Sequence, residues 1–257
     1  MTPDVFTYEV KGEDRYRACE LADGSHLAVV ADGHGGAHCA RTVVGSIGGT
    51  IEHRFAMEVE GGRTLSEDRW IELARDALRS AIDVATHATS NELSGAVVTV
   101  VIAAGSGSPL VFAQLGDTVA FWRGQDGSFE RTPDHNCRTN QAERRAAEER
   151  GGRYFLGYIM ASDGSGGLQP GRSLGDHFMG DVVSKTPDID VAYPSGAIVV
   201  SSDGIVNDVQ GDSSSEEALF TRLLDEIEDG AGVERAVRKV CGGRFRDDVT
   251  VVALVDR

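Results

Sequence analysis

Asp32, Gly33, His34, Gly35 and Gly36 follow the run Leu27-Ala28-Val29-Val30-Ala31, and of all stretches in this 257-residue chain they are best suited to chemistry. An apolar run of that length predicts a buried strand. It delivers a carboxylate into a turn whose glycines and single histidine allow close backbone approach. An aspartate at a strand mouth, followed by open backbone, suits an oxygen-ligand site for a hard cation. A single acid of this kind is equally an ordinary turn residue. Asp203 repeats the figure, with Val199-Val200-Ser201-Ser202 before it and Gly204 after it. Asp117 falls in the hairpin Leu115-Gly116-Asp117-Thr118, Asp247-Asp248 lead into the last strand, and Glu13-Asp14 precede the first strand region.

Carboxylates from several parts of a chain can share one rim only if something offsets their repulsion. A pair of divalent cations does so. Two such ions about 3.5–4 Å apart turn water into a hydroxide nucleophile at neutral pH and clamp an in-line phosphoryl displacement. Oxygen-only ligation favours manganese or magnesium over zinc.

The elements that must position these acids alternate along the chain. Residues 37–51 place Ala40, Val43, Val44, Ile47 and Ile51 on one helical face directly after the glycine turn. A second helix is predicted over 65–87, with Thr64 and Glu67 as a capping box and Trp70, Ala74, Ala77, Leu78, Ala81 and Ala85 as its stripe. Strands follow at 96–104, 110–115 and 118–123. A polar helix over 140–150 starts on Asn140 and stops at Gly151-Gly152. Residues 154–171 read as an irregular flap. A strand at 197–201, helices at 216–227 and 232–240, and a strand at 249–255 complete the pattern. Hairpin-like strand runs with paired helices predict an α+β layout of antiparallel sheets covered by helices.

Composition narrows the partners. The net charge of −16 repels polyanions and disfavours nucleic acid or an anionic membrane surface. No apolar run approaches the roughly 20 residues that span a bilayer. The N-terminus carries no secretion-like segment, so a cytoplasmic protein is expected. Cys19, Cys39, Cys137 and Cys241 are scattered, with no metal or disulfide spacing, and none has an Arg six positions later.

At this point the motifs match a family. The chain resembles the metal-dependent Ser/Thr protein phosphatases of type 2C (the PPM family), essentially end to end. Asp32-Gly33-His34-Gly35-Gly36 looks like their most specific signature. Ser94-Gly95-Ala96, Leu115-Gly116-Asp117-Thr118 and Thr132-Pro133-Asp134-His135 are similar to successive family motifs. Leu168 to Asp176, ending Arg172-Ser173-Leu174-Gly175-Asp176, resembles another. So do Ser202-Asp203-Gly204 and Arg246-Asp247-Asp248-Val249-Thr250.

The resemblance implies a four-layer α/β/β/α sandwich of two antiparallel sheets flanked by helices, as one catalytic domain over 1–257. It implies that Asp32 bridges two Mn2+ or Mg2+ ions, with the Gly33 carbonyl on one of them. Asp203 and Asp247 would complete the first ion, and Glu13, with Asp14 nearby, would serve the second. Asp117 would serve a weaker third. His34 matches the general acid for the departing serine or threonine oxygen. The implied activity is hydrolysis of phosphoserine and phosphothreonine on a phosphorylated protein substrate, by a hydroxide bridging the two cations and a protein expected to be a monomer.

Three positions depart from the family pattern. The Arg that grips substrate phosphate, four residues before the Glu-Asp pair, is here Glu9, leaving Lys11, Arg15 or Arg17 as candidates. A carboxylate cannot do that work, and Arg exceeds Lys in bidentate phosphate contact. Asn207 stands where the third site has a second Asp, with Asp208 beside it. Asp248 replaces an Asn and adds negative charge near the cations. Glu9 motivates the alternative reading, a catalytically weak or inactive phosphatase-like binding or regulatory module.

Overall fold

The computed structural model describes residues 1–60, 65–206 and 213–256. The chain begins with β1 (Thr2–Tyr8), β2 (Arg15–Glu20) and β3 (His26–His34), followed by the helices α1 (His38–Glu60) and α2 (Glu67–Ala88). Next come β4 (Gly95–Ala103), β5 (Leu110–Leu115), β6 (Val119–Gly124), β7 (Phe129–Arg131) and α3 (Gln141–Glu149). Short strands β8 (Arg153–Phe155), β9 (Tyr158–Met160), β10 (Gly167–Leu168) and β11 (Leu174–Gly175) lead to β12 (Asp188–Ala192) and β13 (Pro194–Ser201). The helices α4 (Ser213–Glu228) and α5 (Val233–Cys241) and the strand β14 (Val249–Val255) close the chain.

Two antiparallel sheets stack face to face. One has the order β1-β14-β13-β6-β7, the other β12-β5-β4-β3-β2 with β11 paired to β4. Strand residues alternate between two cores because successive side chains point to opposite faces. In β3, Leu27, Val29 and Ala31 pack toward α1 and α2. Ala28 and Val30 meet β14's Val252 and Leu254 between the sheets. On the far side, Val251 and Ala253 pack with Leu223 and Leu224 of α4 and Ala236 of α5. This is the four-layer α/β/β/α sandwich. Burial on both faces is why the strands read as unbroken apolar runs.

Differences from the sequence expectations have local causes. Helix α1 runs to Glu60 rather than residue 51, because Phe55 is buried and packs edge-on against Trp70 with ring centroids 6.4 Å apart. Thr64 lies outside the described residues; Ser66 caps α2, its side chain accepting from the Arg69 N–H. Asn140 caps α3, accepting from Ala142 and Glu143. The flap is not irregular throughout. Its strands β8, β9 and β10 form a small sheet over a separate core that includes Cys137, Ala147, Ile159 and Met179. Among the described residues, no helix is long and apolar enough to cross a membrane.

Candidate active site

The strand β3 ends at one rim of the sandwich and carries Asp32, Gly33 and His34 with it. By alternation, Asp32 and His34 share the inter-sheet side with Ala28 and Val30. His34 Nε2 lies 2.9 Å from each carboxylate oxygen of Asp176. Asp176 is 1% exposed, sits in the left-handed region at φ 51°, and also accepts from the Ser173 hydroxyl at 2.5 Å. A non-glycine residue held there costs free energy, and such strain concentrates at functional sites. A Cβ on Gly95 would overlap both the Asp176 carboxylate and His34 Nε2, so this pair needs glycine beneath it. The sequence placed Asp176 inside a motif but gave no sign that it partners His34.

Asp203 begins a short 3-10 turn after β13, and Asp247-Asp248 precede β14, which pairs with β13. One Asp247 oxygen accepts from the Asp248 N–H at 2.9 Å, and the other receives the Lys11 ammonium at 2.8 Å. Glu13 accepts from the Gly36 N–H at 2.6 Å, which ties the 10–14 segment to the glycine turn. Both carboxylate oxygens of Asp14 are buried without a hydrogen-bond partner of good geometry, although the Ser202 and Thr250 hydroxyls lie close enough to favour its ionised form.

Asp117 is braced from below. Thr99 Oγ1 donates to Gln114 Oε1 at 2.6 Å and meets Thr118 Oγ1 at 2.8 Å. Gln114 Nε2 donates to the Gly116 and Thr118 carbonyls at 3.0 and 2.7 Å. His135 Nδ1 accepts from the Gly116 N–H at 3.1 Å. Asp117 itself accepts from Asn136 Nδ2 at 2.8 Å, a contact without a sequence signal. Asn207 and Asp208 lie outside the described residues.

Electrostatically the rim crowds carboxyl groups together, with the Lys11 ammonium on Asp247. Burial first, then the neighbouring carboxylates Asp203, Asp14 and Asp117, raise the Asp32 pKa well above the usual carboxylate range. Burial, with Asp203 and Asp134 nearby, pushes Asp117 to about 7. Burial, with Asp248 and Asp203 nearby, pushes Asp14 to about 6. Asp203 is also raised, chiefly by burial and with a contribution from Asp247.

All of these donors are hard oxygens, and Asp14 leaves two unpaired. That chemistry fits Mn2+ or Mg2+. Among the described residues, no three His, Cys, Asp or Glu side chains already converge as a finished ligand set. The Lys11 ammonium stands among these acids, on Asp247.

The three cationic candidates for phosphate separate clearly. Arg17 forms an ion pair with Glu52 through Nε and a second contact at 2.7 Å. Arg15 donates to the Gly12 and Asp14 carbonyls at 3.0 and 2.5 Å. Lys11 alone of the three reaches a rim carboxylate. Glu9 is exposed.

The sequence matches the family model for Protein phosphatase 2C over residues 10–239. No curated protein sequence matches it. Its fold is similar to that of the serine-threonine phosphatase 2C from Toxoplasma gondii, with TM-score 0.77, 17% identity, and coverage of 99% of this chain and 94% of that one. A C. elegans sex determining protein is similar with TM-score 0.73 and 22% identity, over 98% of this chain and 64% of that one. A bacterial serine phosphatase carrying a point mutation is similar with TM-score 0.62 and 14% identity, over 100% and 99%.

Proposed function

Because the chain belongs to the protein phosphatase 2C family, we propose that it hydrolyses phosphoserine and phosphothreonine on proteins with two bound Mn2+ or Mg2+ ions. The supporting observation is the gathering of Asp14, Asp32, Asp117 and Asp203 at one rim, where Asp203 raises the pKa of the other three and Asp14 and Asp117 also raise that of Asp32. Asp32, Asp203, Asp247 and Glu13, with the Gly33 carbonyl, are the groups that would hold the ions. When bound, the ions supply activation of water and charge for the phosphoryl oxygens.

The chain's own residues do the rest. Asp176 is a carboxylate that only accepts, so His34 keeps a proton on Nε2 and presents Nδ1 as the other ring position. Protonated there, His34 delivers that proton to the departing serine or threonine oxygen. Lys11 leaves Asp247 to meet a phosphate oxygen as a point charge. Asp117 would hold a third, weaker cation.

The test is direct. With Mn2+, hydrolysis of p-nitrophenyl phosphate and of a phosphothreonine peptide is expected. Absence of Mn2+ binding by calorimetry, together with no turnover of either compound, overturns the proposal. Glu9 supports a second reading, a weak or inactive binding module; it predicts Mn2+ binding and phosphopeptide retention without turnover.

A further inference from the structure

Asp248 looked in the sequence like surplus charge. In the structure its carboxylate, on a residue 3% exposed, is the acceptor for five consecutive backbone N–H groups. Oδ1 accepts from Val10, Lys11 and Gly12 at 2.5, 2.7 and 3.1 Å, and Oδ2 from Glu13 and Asp14 at 2.5 and 3.3 Å. Consecutive N–H groups converging on an anion form a nest, and each bond is charge-assisted. An asparagine could accept at one oxygen but would turn an NH2 toward the donors at the other.

Two backbone contacts extend the clamp into a ring. A Cβ on Gly204 would overlap the Asp248 carbonyl oxygen, so the turn after Asp203 is pressed against Asp248. A Cβ on Gly33 would stand 2.6 Å from the Glu13 carbonyl oxygen, so the strand end after Asp32 is pressed against the clamped segment. Asp203, Asp247, Glu13 and Asp32 are thereby carried on backbone segments linked through one side chain.

We propose that Asp248 is a positioning residue that holds the 10–14 segment against the start of β14 and so couples the Glu13 side of the cation site to the Asp203–Asp247 side. This rests on the two-cation phosphatase reading. The coupling has a physical origin: the peptide that carries Asp247 also organises the backbone that carries Glu13.

The test compares the full chain with Asp248→Asn, which keeps shape and one acceptor, using the exposed Asp126→Asn as control. In the metal-free protein, amide hydrogen exchange of residues 10–14 is expected to be protected. Asp248→Asn should speed that exchange by at least about tenfold, the weight of one lost charge-assisted bond. In Mn2+ calorimetry the same variant should weaken the second binding event by at least about tenfold while the first changes less. Asp126→Asn should change neither.

Unprotected 10–14 amides in the unmodified chain overturn the proposal, without recourse to any variant. So does an Asp248→Asn protein with unchanged exchange and unchanged Mn2+ affinity. A chain that binds no Mn2+ at all sinks the phosphatase reading instead, and the exchange of the 10–14 amides then still decides the role of Asp248.

Discussion

His34 and Asp176 stand 142 positions apart in sequence, yet His34 Nε2 lies 2.9 Å from both Asp176 oxygens over a glycine that admits no side chain. A carboxylate so placed fixes the ring and decides which nitrogen is left for the leaving group. Asp176→Asn should lower turnover of a phosphothreonine peptide by about a hundredfold, within the usual range for general acid catalysis. Hydrolysis of p-nitrophenyl phosphate, whose leaving group departs without a proton, should change by less than about threefold. His34→Asn should show the same split. Equal losses on both substrates would assign the pair to structure alone.

Asp32 faces Asp203, Asp14 and Asp117 in an enclosed setting. Asp32→Asn should therefore abolish Mn2+-dependent turnover and, at pH 8 without metal, stabilise the fold by on the order of 1 kcal/mol, since one disfavoured charge is gone. Asp247→Asn should abolish turnover with little change in metal-free stability. Thermal melting with activity assays checks both. Near-full activity in either variant would remove it from the ligand set.

The pH dependence of the metal-free protein has a defined sign. Asp14 and Asp117 have folded-state pKa values of about 6 and about 7, above the usual carboxylate value. Groups raised in this way contribute stability that is present below pH 4 or so and lost as the pH rises through 6 and 7. Asp248, held down to about 2 by its backbone donors, acts oppositely: its contribution is present above pH 4 or so and lost toward pH 2. Stability without metal should peak near pH 4–5 and decline by pH 8, by a few kcal/mol at most. Saturating Mn2+ should restore about 2.7 kcal/mol at a hundredfold excess over Kd. A flat melting profile between pH 5 and pH 8 in chelator would contradict this.

Lys11 now pairs with Asp247, so the same ammonium competes with a cation and serves phosphate. Lys11→Met should tighten Mn2+ binding while weakening inhibition by inorganic phosphate by roughly tenfold, the weight of one charged contact. Phosphate inhibition curves at saturating Mn2+ separate the two effects. Unchanged phosphate inhibition would return the role to another residue.

Asp32, Asp117 and Asp203 were legible because each lies where a largely buried, mostly apolar strand ends. Asn140 was legible as a cap because an Asn at the start of a polar helical stretch can accept from the first free N–H groups, here those of Ala142 and Glu143. β1 was not: Pro3 and Asp4 interrupt it, and its partner β14 comes from the other end of the chain. The flap sheet escaped notice because strands of two or three residues carry no periodicity. The Asp176–His34 pair and the Asp248 clamp are long-range contacts, and neither leaves a local pattern.

The pairing of β1 with β14, Thr2 opposite Val255 and Tyr8 opposite Val249, bears on how the molecule comes to be. Contacts that span nearly the whole chain are slow to form, because loop closure must precede their reward. During synthesis the 10–14 segment waits for Asp248, its organising partner, which follows Val10 by 238 positions and Asp14 by 234. Until β14 docks, a nascent chain therefore carries Glu13 on a backbone that lacks the acceptor for its N–H groups.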